Sequence, residues 1–443
     1  MSEEESIPTS RLSRAAVTGI AATKLGAKQL AHLGKKTLRG KSFKKEEQTL
    51  HEEELGKLLL KTLGMLRGTA LKLSQALSQE ADLLPESMRK ELEKACHKVM
   101  PLNRALILKV FQKEWGMGPG KLFESFESEA FAAASLGQVH RAVSKKGEQL
   151  AVKVQYPGIA ATIGSDLKVM RTMLVDVAGR SGALPRRDLL SECLDEIEER
   201  LLEEVDYRNE AENLEWFRAR VSLPGIRIPK VIRETSGDRV LSMERLEGLH
   251  LDEWAAAGPS QEERDTVGQR LFDFFIHCFY GLNRIHADPH SGNFMVVESG
   301  ELAVLDFGCV KAVSQEFPDG MAAIFRSILL NRDGEHVGEV LEAYKTISLF
   351  ADSYSLEEYV EKVHPTFGLL QEWLRLPYVE ERYDFSKHPR IPQASLNEGF
   401  RAAKQVEGLP RDYLFFDRAY NGMVNLLRKL GARVETAGMI RGA

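Results

Sequence analysis

The sequence predicts an α+β fold: a helical N-terminal region, a short sheet-forming stretch and a largely helical C-terminal half. Three observations predict it. Apolar residues recur at helical spacing from Leu55 to about Val99. Residues 142–156, AVSKKGEQLAVKVQY, read as two short strands around a Lys-Lys-Gly turn. After Gly248 helical texture returns, broken by a polar, glycine-containing patch between Ile285 and Lys311. The 443 residues suggest two or three domains, and 43% apolar with 28% charged residues argues against wholesale disorder and against a polytopic membrane protein. A net charge of -5 argues against a dedicated nucleic-acid binder, so no nucleic-acid partner is expected. The four cysteines, Cys96, Cys193, Cys278 and Cys309, stand far apart without CxxC spacing, which fits a reducing compartment.

Taken in order, the opening MSEEESIP is acidic and lacks the features of a signal or transit peptide, which leads us to expect a cytoplasmic protein or one on the cytosolic membrane face. Residues 11–45 hold ten lysines and arginines and no acid, and Glu46 opens a run with five glutamates to Glu54. Within the basic segment Leu12, Ala16, Ile20, Leu25, Leu30 and Leu33 recur at roughly helical spacing. A solvated helix of a helical domain and a helix lying on a membrane surface both fit that pattern. Leu84-Pro85 interrupts the next helical region and Pro101 closes it. Texture changes at Lys121; residues 189–220 form a long charge-rich helical stretch, and 226–232 and 240–245 are strand candidates. The longest apolar run, residues 271–282, is broken by Asp273 and His277 and falls short of the ~20 residues of a spanning helix.

The strongest motif is IHADPHSGNFMVVESGELAVLDFG, residues 285–308. It joins an HxDxxxxN pattern (His286, Asp288, Asn293) to a DFG (Asp306, Phe307, Gly308), with room between for a hairpin of FMVVE and LAVLD turning at Ser299-Gly300. Phosphoryl transfer needs a carboxylate near the acceptor, plus an amide oxygen and a second carboxylate to hold Mg2+ on the phosphates. Asp288, Asn293 and Asp306 suit those roles in that order; as structural residues they would instead cap a turn and end strands. His286 and His290 would bind zinc well only on a helix, which Asp288-Pro289 disfavours, so His286 reads as a hydrogen-bonding support of the loop. A protein-kinase-like fold of two lobes also demands a strand lysine for the α and β phosphates. Lys153 in AVKV is the candidate, with alternation placing it opposite Val152 and Val154.

Where a kinase would carry glycines over the phosphates, residues 130–142 read AFAAASLGQVHRA. Together with the VKV lysine, ExDYxxEAxN, HADPHxGN and LDFG, this resembles the UbiB family of atypical protein-kinase-like proteins, known also as AarF or ADCK proteins, from about Ile7 to near Ala432. The resemblance implies a bilobal kinase-like fold with an added N-terminal helical domain: residues 1–114 the helical extension, 115–247 the N-lobe and 248–443 the C-lobe. It implies ATP or ADP with Mg2+ as cofactors, the nucleotide being contacted by Ala132, Ala133, Ala134, Ser135, Lys153, Glu198 and Glu244. Glu198 matches the lysine-pairing helix glutamate, with Glu199 its rival by helical spacing. Glu204 and Asp206 match the ExD acids, which in the family meet a KxGQ lysine where a protein substrate would dock. Lys72 and Gln75 fall on that KxGQ signature, with Ser74 in place of its glycine. Activity in the family is described mainly as ATP hydrolysis that supports isoprenoid quinone (ubiquinone) biosynthesis at the membrane. Anionic lipid, quinone precursors and quinone-biosynthesis enzymes are therefore the implied partners. A phosphotransferase acting on a small molecule or protein is the alternative, and a non-catalytic lipid-binding scaffold a further one.

Overall fold

The computed structural model describes residues 104–134, 136–172, 174, 187–331, 334–390 and 410–436, with isolated helical positions at 53, 57, 90 and 91. Lys72, Ser74, Gln75, Ser135 and the basic segment 11–45 lie outside the described residues. The chain divides into two compact units, one running to Asn209 and including Ile232–Glu244, the other comprising Glu210–Val231 and the chain from Arg245 onward. Strands in chain order are β1 (Phe123–Ala134), β2 (Gly137–Ser144), β3 (Gln149–Gln155), β4 (Ile226–Arg227), β5 (Val240–Glu244), β6 (Gly248–His250), β7 (Arg284–His286), β8 (Phe294–Val297), β9 (Leu302–Val304), β10 (Val310–Ala312), β11 (Arg382–Asp384) and β12 (Arg433–Glu435).

The first unit is built on an antiparallel sheet of order β1-β2-β3-β5. Alternation in β3 sends Leu150, Val152 and Val154 into a core with Ile107, Val110 and Phe111 of the helix Arg104–Trp115. The same pleat turns Lys153 to the other face, in one cross-strand row with Ala132, Val139 and Leu241. Sequence reading starts the sheet at Ala142, whereas it begins at Phe123. Register shifts at Phe123/Ser125, Phe126/Ala130 and Ala130/Ala132 break the alternation that marks a strand. The helical stretch 189–220 is two helices, Arg187–Glu204 and Tyr207–Arg220. Asp206 breaks it, because its carboxylate accepts the Asn209 N–H at 3.0 Å and so caps the second helix. The strand candidate 226–232 contracts to Ile226–Arg227, since Pro229 has no N–H for a ladder.

The second unit carries a sheet of order β4-β9-β8-β6, in which β4 runs parallel to β9. The β8–β9 hairpin falls where FMVVE and LAVLD predict it, turning through Gly300 at φ +83°. Two further pairs, β7 with β10 and β11 with β12, are three residues per strand and leave no periodic signature. The helices Gln261–Ile276, Glu316–Leu330 and Arg411–Leu430 form an aromatic core in which Phe275, Phe279, Phe317, Phe325, Phe416 and Tyr420 are buried. Among the described residues no helix is long and apolar enough to cross a membrane.

His388 gives this unit a titratable weak point. It is 2% exposed, its Nδ1 meets the Tyr383 hydroxyl at 3.0 Å, and its Nε2 has no hydrogen-bond partner among the described residues. Burial, with the nearby Arg428 charge adding to it, pushes the imidazole from 6.5 down to about 4. Because the unfolded chain takes the proton first, the stability that neutral His388 carries is complete above about pH 6.5 and is lost as pH falls towards 4. Unfolding free energy is expected to drop on going from pH 7 to pH 5, with about 1–2 kcal/mol of that drop removed in His388→Gln. Denaturant titrations of both proteins at the two pH values measure it; equal pH sensitivity would refute the assignment.

Candidate active site

In the second unit the chain from His286 to Gly308 satisfies its own polar groups. β7 ends at His286, and the loop after it closes in one short 3-10 turn, Ser291–Asn293: His290 N–H donates to the Asp288 carbonyl at 2.8 Å, and Asn293 N–H donates to the His290 carbonyl at 2.9 Å. The Asn293 amide then donates from Nδ2 to both the carbonyl and the carboxylate Oδ2 of Asp288, each at 2.9 Å. This fixes the rotamer of Asn293 and turns its Oδ1, a hard oxygen, away from Asp288. The Leu305 N–H donates to the Asn293 carbonyl at 2.9 Å, so β9 delivers Asp306 beside the loop. Asp306 Oδ1 accepts the Gly308 N–H at 2.9 Å, and the Asp306 carbonyl meets His286 Nε2 at 2.8 Å. A carbonyl can only accept, so the proton sits on Nε2 of His286, which thereby acts as the loop support its sequence position suggests.

Phe307 is 0% exposed, its ring 4.7 Å from Phe217, 6.4 Å from Phe274 and 5.4 Å from His286. Its carbonyl accepts from Asn213 Nδ2 at 3.0 Å. Asn213 is the last residue of ExDYxxEAxN, a position to which motif spacing alone assigned no task. Behind the loop, Ser291 donates to Asp252 at 2.7 Å and Lys429 pairs with the same carboxylate at 2.7 Å. Burial pushes the Asp252 carboxyl up, but these donors outweigh it and hold it below the usual range. Pro289 rests on the backbone of Gly422, where an added Cβ would lie 2.1 Å from Pro289 Cγ.

In the first unit, Lys153 shares its sheet face with Ala132 and Ala134, through the rows Ala132–Val139–Lys153 and Ala134–Gly137–Gln155. Ala133 pairs with Gln138 on the opposite face and is exposed, so alternation divides the alanine run. Below it, His140 Nδ1 faces the Glu127 carbonyl at 2.8 Å and therefore carries the proton, leaving Nε2 to accept from Gln138 at 2.8 Å. This buried chain, stacked on Phe126 at 4.9 Å, explains the Gln-Val-His of the hairpin and lowers the His140 pKa by burial. Gln155 donates to the Val205 carbonyl at 2.7 Å, tying β3 to the corner that bears Glu204 and Asp206. Glu204 is half-buried and Asp206 exposed at its cap. Glu198 is half-buried and faces the helix Ile159–Arg171, its Oε1 3.4 Å from the Cβ position of Gly164, while Glu199 is exposed. Glu244 ends β5 opposite Leu150.

Among the described residues no group of three or more His, Cys, Asp or Glu side chains could hold a metal. The donors Asn293 and Asp306 suit Mg2+ nonetheless, since that ion takes one or two protein oxygens and fills its octahedron with phosphate and water.

Buried DFG phenylalanine, loop carboxylate, fixed amide and strand lysine are the parts of a protein-kinase-like domain. Residues 94–341 match the ABC1 atypical kinase-like domain, and the chain belongs to that family, the UbiB group of atypical kinases. It is 31% identical to the mitochondrial atypical kinase COQ8B of Rattus norvegicus over 366 residues, which are 82% of this chain and 68% of the rat protein. It is 26% identical to the mitochondrial atypical kinase COQ8 of Saccharomyces cerevisiae, over 99% of this chain and 86% of the yeast protein. The uncharacterized protein Rv0647c of Mycobacterium tuberculosis is 30% identical over 66% of this chain and 60% of its own length. Among solved structures, Rv3197 of Mycobacterium tuberculosis, in complex with erythromycin, superposes with a TM-score of 0.60 at 25% identity, covering 82% of this chain and 89% of that one.

The tight seat of Pro289 supplies a test. Gly422→Ala is expected to cost about 1–3 kcal/mol, because the new methyl must displace the loop. Gly338→Ala, whose Cβ would meet Leu356 at an ordinary 3.6 Å within a helix, should be neutral or stabilising. Denaturant midpoints of the two variants decide it; equal values would show that the loop yields to the methyl.

Proposed function

We propose that the chain is an atypical kinase-like ATPase that binds Mg-ATP at a membrane surface and supports isoprenoid quinone biosynthesis or lipid homeostasis. The observation that carries the reading is the Asn293 amide, held by two hydrogen bonds to Asp288 with its oxygen turned outward, in a loop that β9 joins to Asp306. In this reading Asn293 and Asp306 hold Mg2+, and Lys153 holds the α and β phosphates. Mg2+ would neutralise charge on the transferring phosphoryl group. Asp288, kept as an acceptor by the amide, orients the attacking hydroxyl or water and takes its proton. Glu198 and Glu244 complete the nucleotide set, and the ExD acids Glu204 and Asp206 act with Lys72 and Gln75.

The alanine hairpin favours hydrolysis or restrained transfer over fast phosphorylation. Its strands stay paired up to Ala134 and Gly137, so ladder bonds engage backbone N–H groups that a phosphate-cradling loop would present. Methyl groups restrict the loop further, since glycine alone reaches positive φ freely. Phosphotransfer to a small molecule or protein is the second reading, favoured by the presence of Lys153, Asp288, Asn293 and Asp306 together. The proposed organisation is a helical extension over residues 1–114, an N-lobe over 115–247 and a C-lobe over 248–443.

Phosphate release from Mg-ATP, with and without anionic liposomes and beside a mass-spectrometric search for phosphorylated acceptors, separates the two readings. Asp306→Asn should abolish the Mg-ATP thermal shift. Asp288→Asn should keep that shift while losing about 10²–10⁴ in turnover. An unchanged shift in the first variant, or unchanged turnover in the second, would overturn the roles of these two carboxylates.

Membrane association is proposed to run through the ten cations between Arg11 and Lys45. Each near the surface should contribute about 1 kcal/mol with anionic lipid, screened by salt. Full-length protein should co-sediment with anionic vesicles at low salt, less at high salt and little with neutral ones, whereas a chain starting at Glu46 should lose most of this. Equal sedimentation of both would move the contact elsewhere.

A further inference from the structure

Within ExDYxxEAxN, the tyrosine, to which the roles proposed above assign no task, touches two parts of the proposed nucleotide apparatus at once. Tyr207 is 2% exposed and opens the helix that Asp206 caps. The Lys153 ammonium lies 5.4 Å from the centroid of its ring. Its hydroxyl would lie 2.7 Å from a Cβ on Gly137, the residue that pairs with Ala134 across the hairpin and with Gln155 across β3.

The placement follows from the sheet. Lys153, Gln155 and Gly137 share one face by register, and the corner Val205–Tyr207 is drawn onto that face by the buried Gln155 donation to Val205. The cap at Asp206 then fixes the first residue of the following helix, which is Tyr207. A side chain at Gly137 would strike the Val154 carbonyl at 2.5 Å as well as the tyrosine, so the glycine keeps open the space into which the phenol projects.

We propose that Tyr207 is a positioning residue for nucleotide binding: its ring holds the Lys153 ammonium in place and its hydroxyl end supports the alanine hairpin at Gly137. The inference rests on the kinase-like reading above and adds a residue to it. A lysine has a flexible four-carbon stem, and a phosphate that recruits it from solution must bear the cost of ordering it. An aromatic face attracts the ammonium, so the lysine is ordered in advance of the phosphates it would meet.

The test is Mg-ATP affinity by calorimetry on the full chain. Tyr207→Leu should raise Kd about tenfold, the size expected of a half-buried ammonium–ring contact, and Tyr207→Phe, which keeps the ring, should recover most of that loss. In a Lys153→Ala background the leucine substitution should add less than about twofold, because the partner is gone. An undiminished effect there would make Tyr207 a packing residue only and overturn the proposal, as would a folded Tyr207→Leu protein with wild-type Kd. Failure of the wild-type chain itself to bind Mg-ATP would defeat the kinase-like reading first. A second measurement needs no folded Tyr207 variant: with lysines reductively methylated and Lys153 assigned through Lys153→Arg, its NMR signal should lie upfield from the ring current and move when Mg-ATP is added. A signal at the position of solvated lysines would refute the contact.

Discussion

The loop geometry of the second unit depends on the burial of one ring. Phe307 is enclosed by Phe217, Phe274 and His286, and removing a phenylalanine from water contributes about 1.5–3 kcal/mol before the added gain of aromatic edge contacts. Asp306 precedes it across one planar peptide, so fixing the ring and its carbonyl leaves the carboxylate little freedom. Asn213 on the Phe307 carbonyl and His286 on the Asp306 carbonyl complete the restraint from opposite ends of the dipeptide. An acid is thus placed by packing and backbone hydrogen bonds.

A different constraint governs the first unit. There the pleat is the ruler: Val152 and Val154 must enter the core, so Lys153 must leave it, and a slip of one residue would reverse all three. The same rule sorts Ala132 and Ala134 onto the lysine's face and Ala133 away from it. The buried Gln138–His140–Glu127 chain holds the register of the hairpin, because a shift would strand polar groups in the core, which costs far more than a lost surface hydrogen bond.

How far the sequence could be read follows from these two constraints. The hairpin of residues 294–304 and the paired strands around Gly147 were legible because alternation and turn chemistry agree there. The family was legible because several motifs of different chemistry stand in one order. The irregular β1 was not, since its bulges place FESFESEA out of phase with any period. Nor was the break at Asp206, because a capping aspartate inside a charge-rich helical stretch looks like one more surface acid until its neighbour's N–H is seen on it. Gly422 carried no local signal at all: the loop it supports is more than a hundred residues away in sequence, and only packing joins them.

Asp206 also shows why motif residues resist a single label. As a helix cap it satisfies an N–H that would otherwise face the end of the helix alone, worth typically about 1 kcal/mol, and it places a negative charge at the positive end of the helix dipole. As one of the ExD pair it is proposed to act on chemistry. The two duties are compatible because the cap engages one carboxylate oxygen and leaves the residue exposed. Removing the side chain altogether therefore loosens Tyr207, the next residue, and through it the seat of Lys153, so a loss of nucleotide affinity in such a variant measures the corner as much as the charge. Asparagine caps as well as aspartate does and carries no charge. The electrostatic share of the motif is thus the difference between the asparagine and the aspartate protein, and the structural share is the further difference between asparagine and alanine.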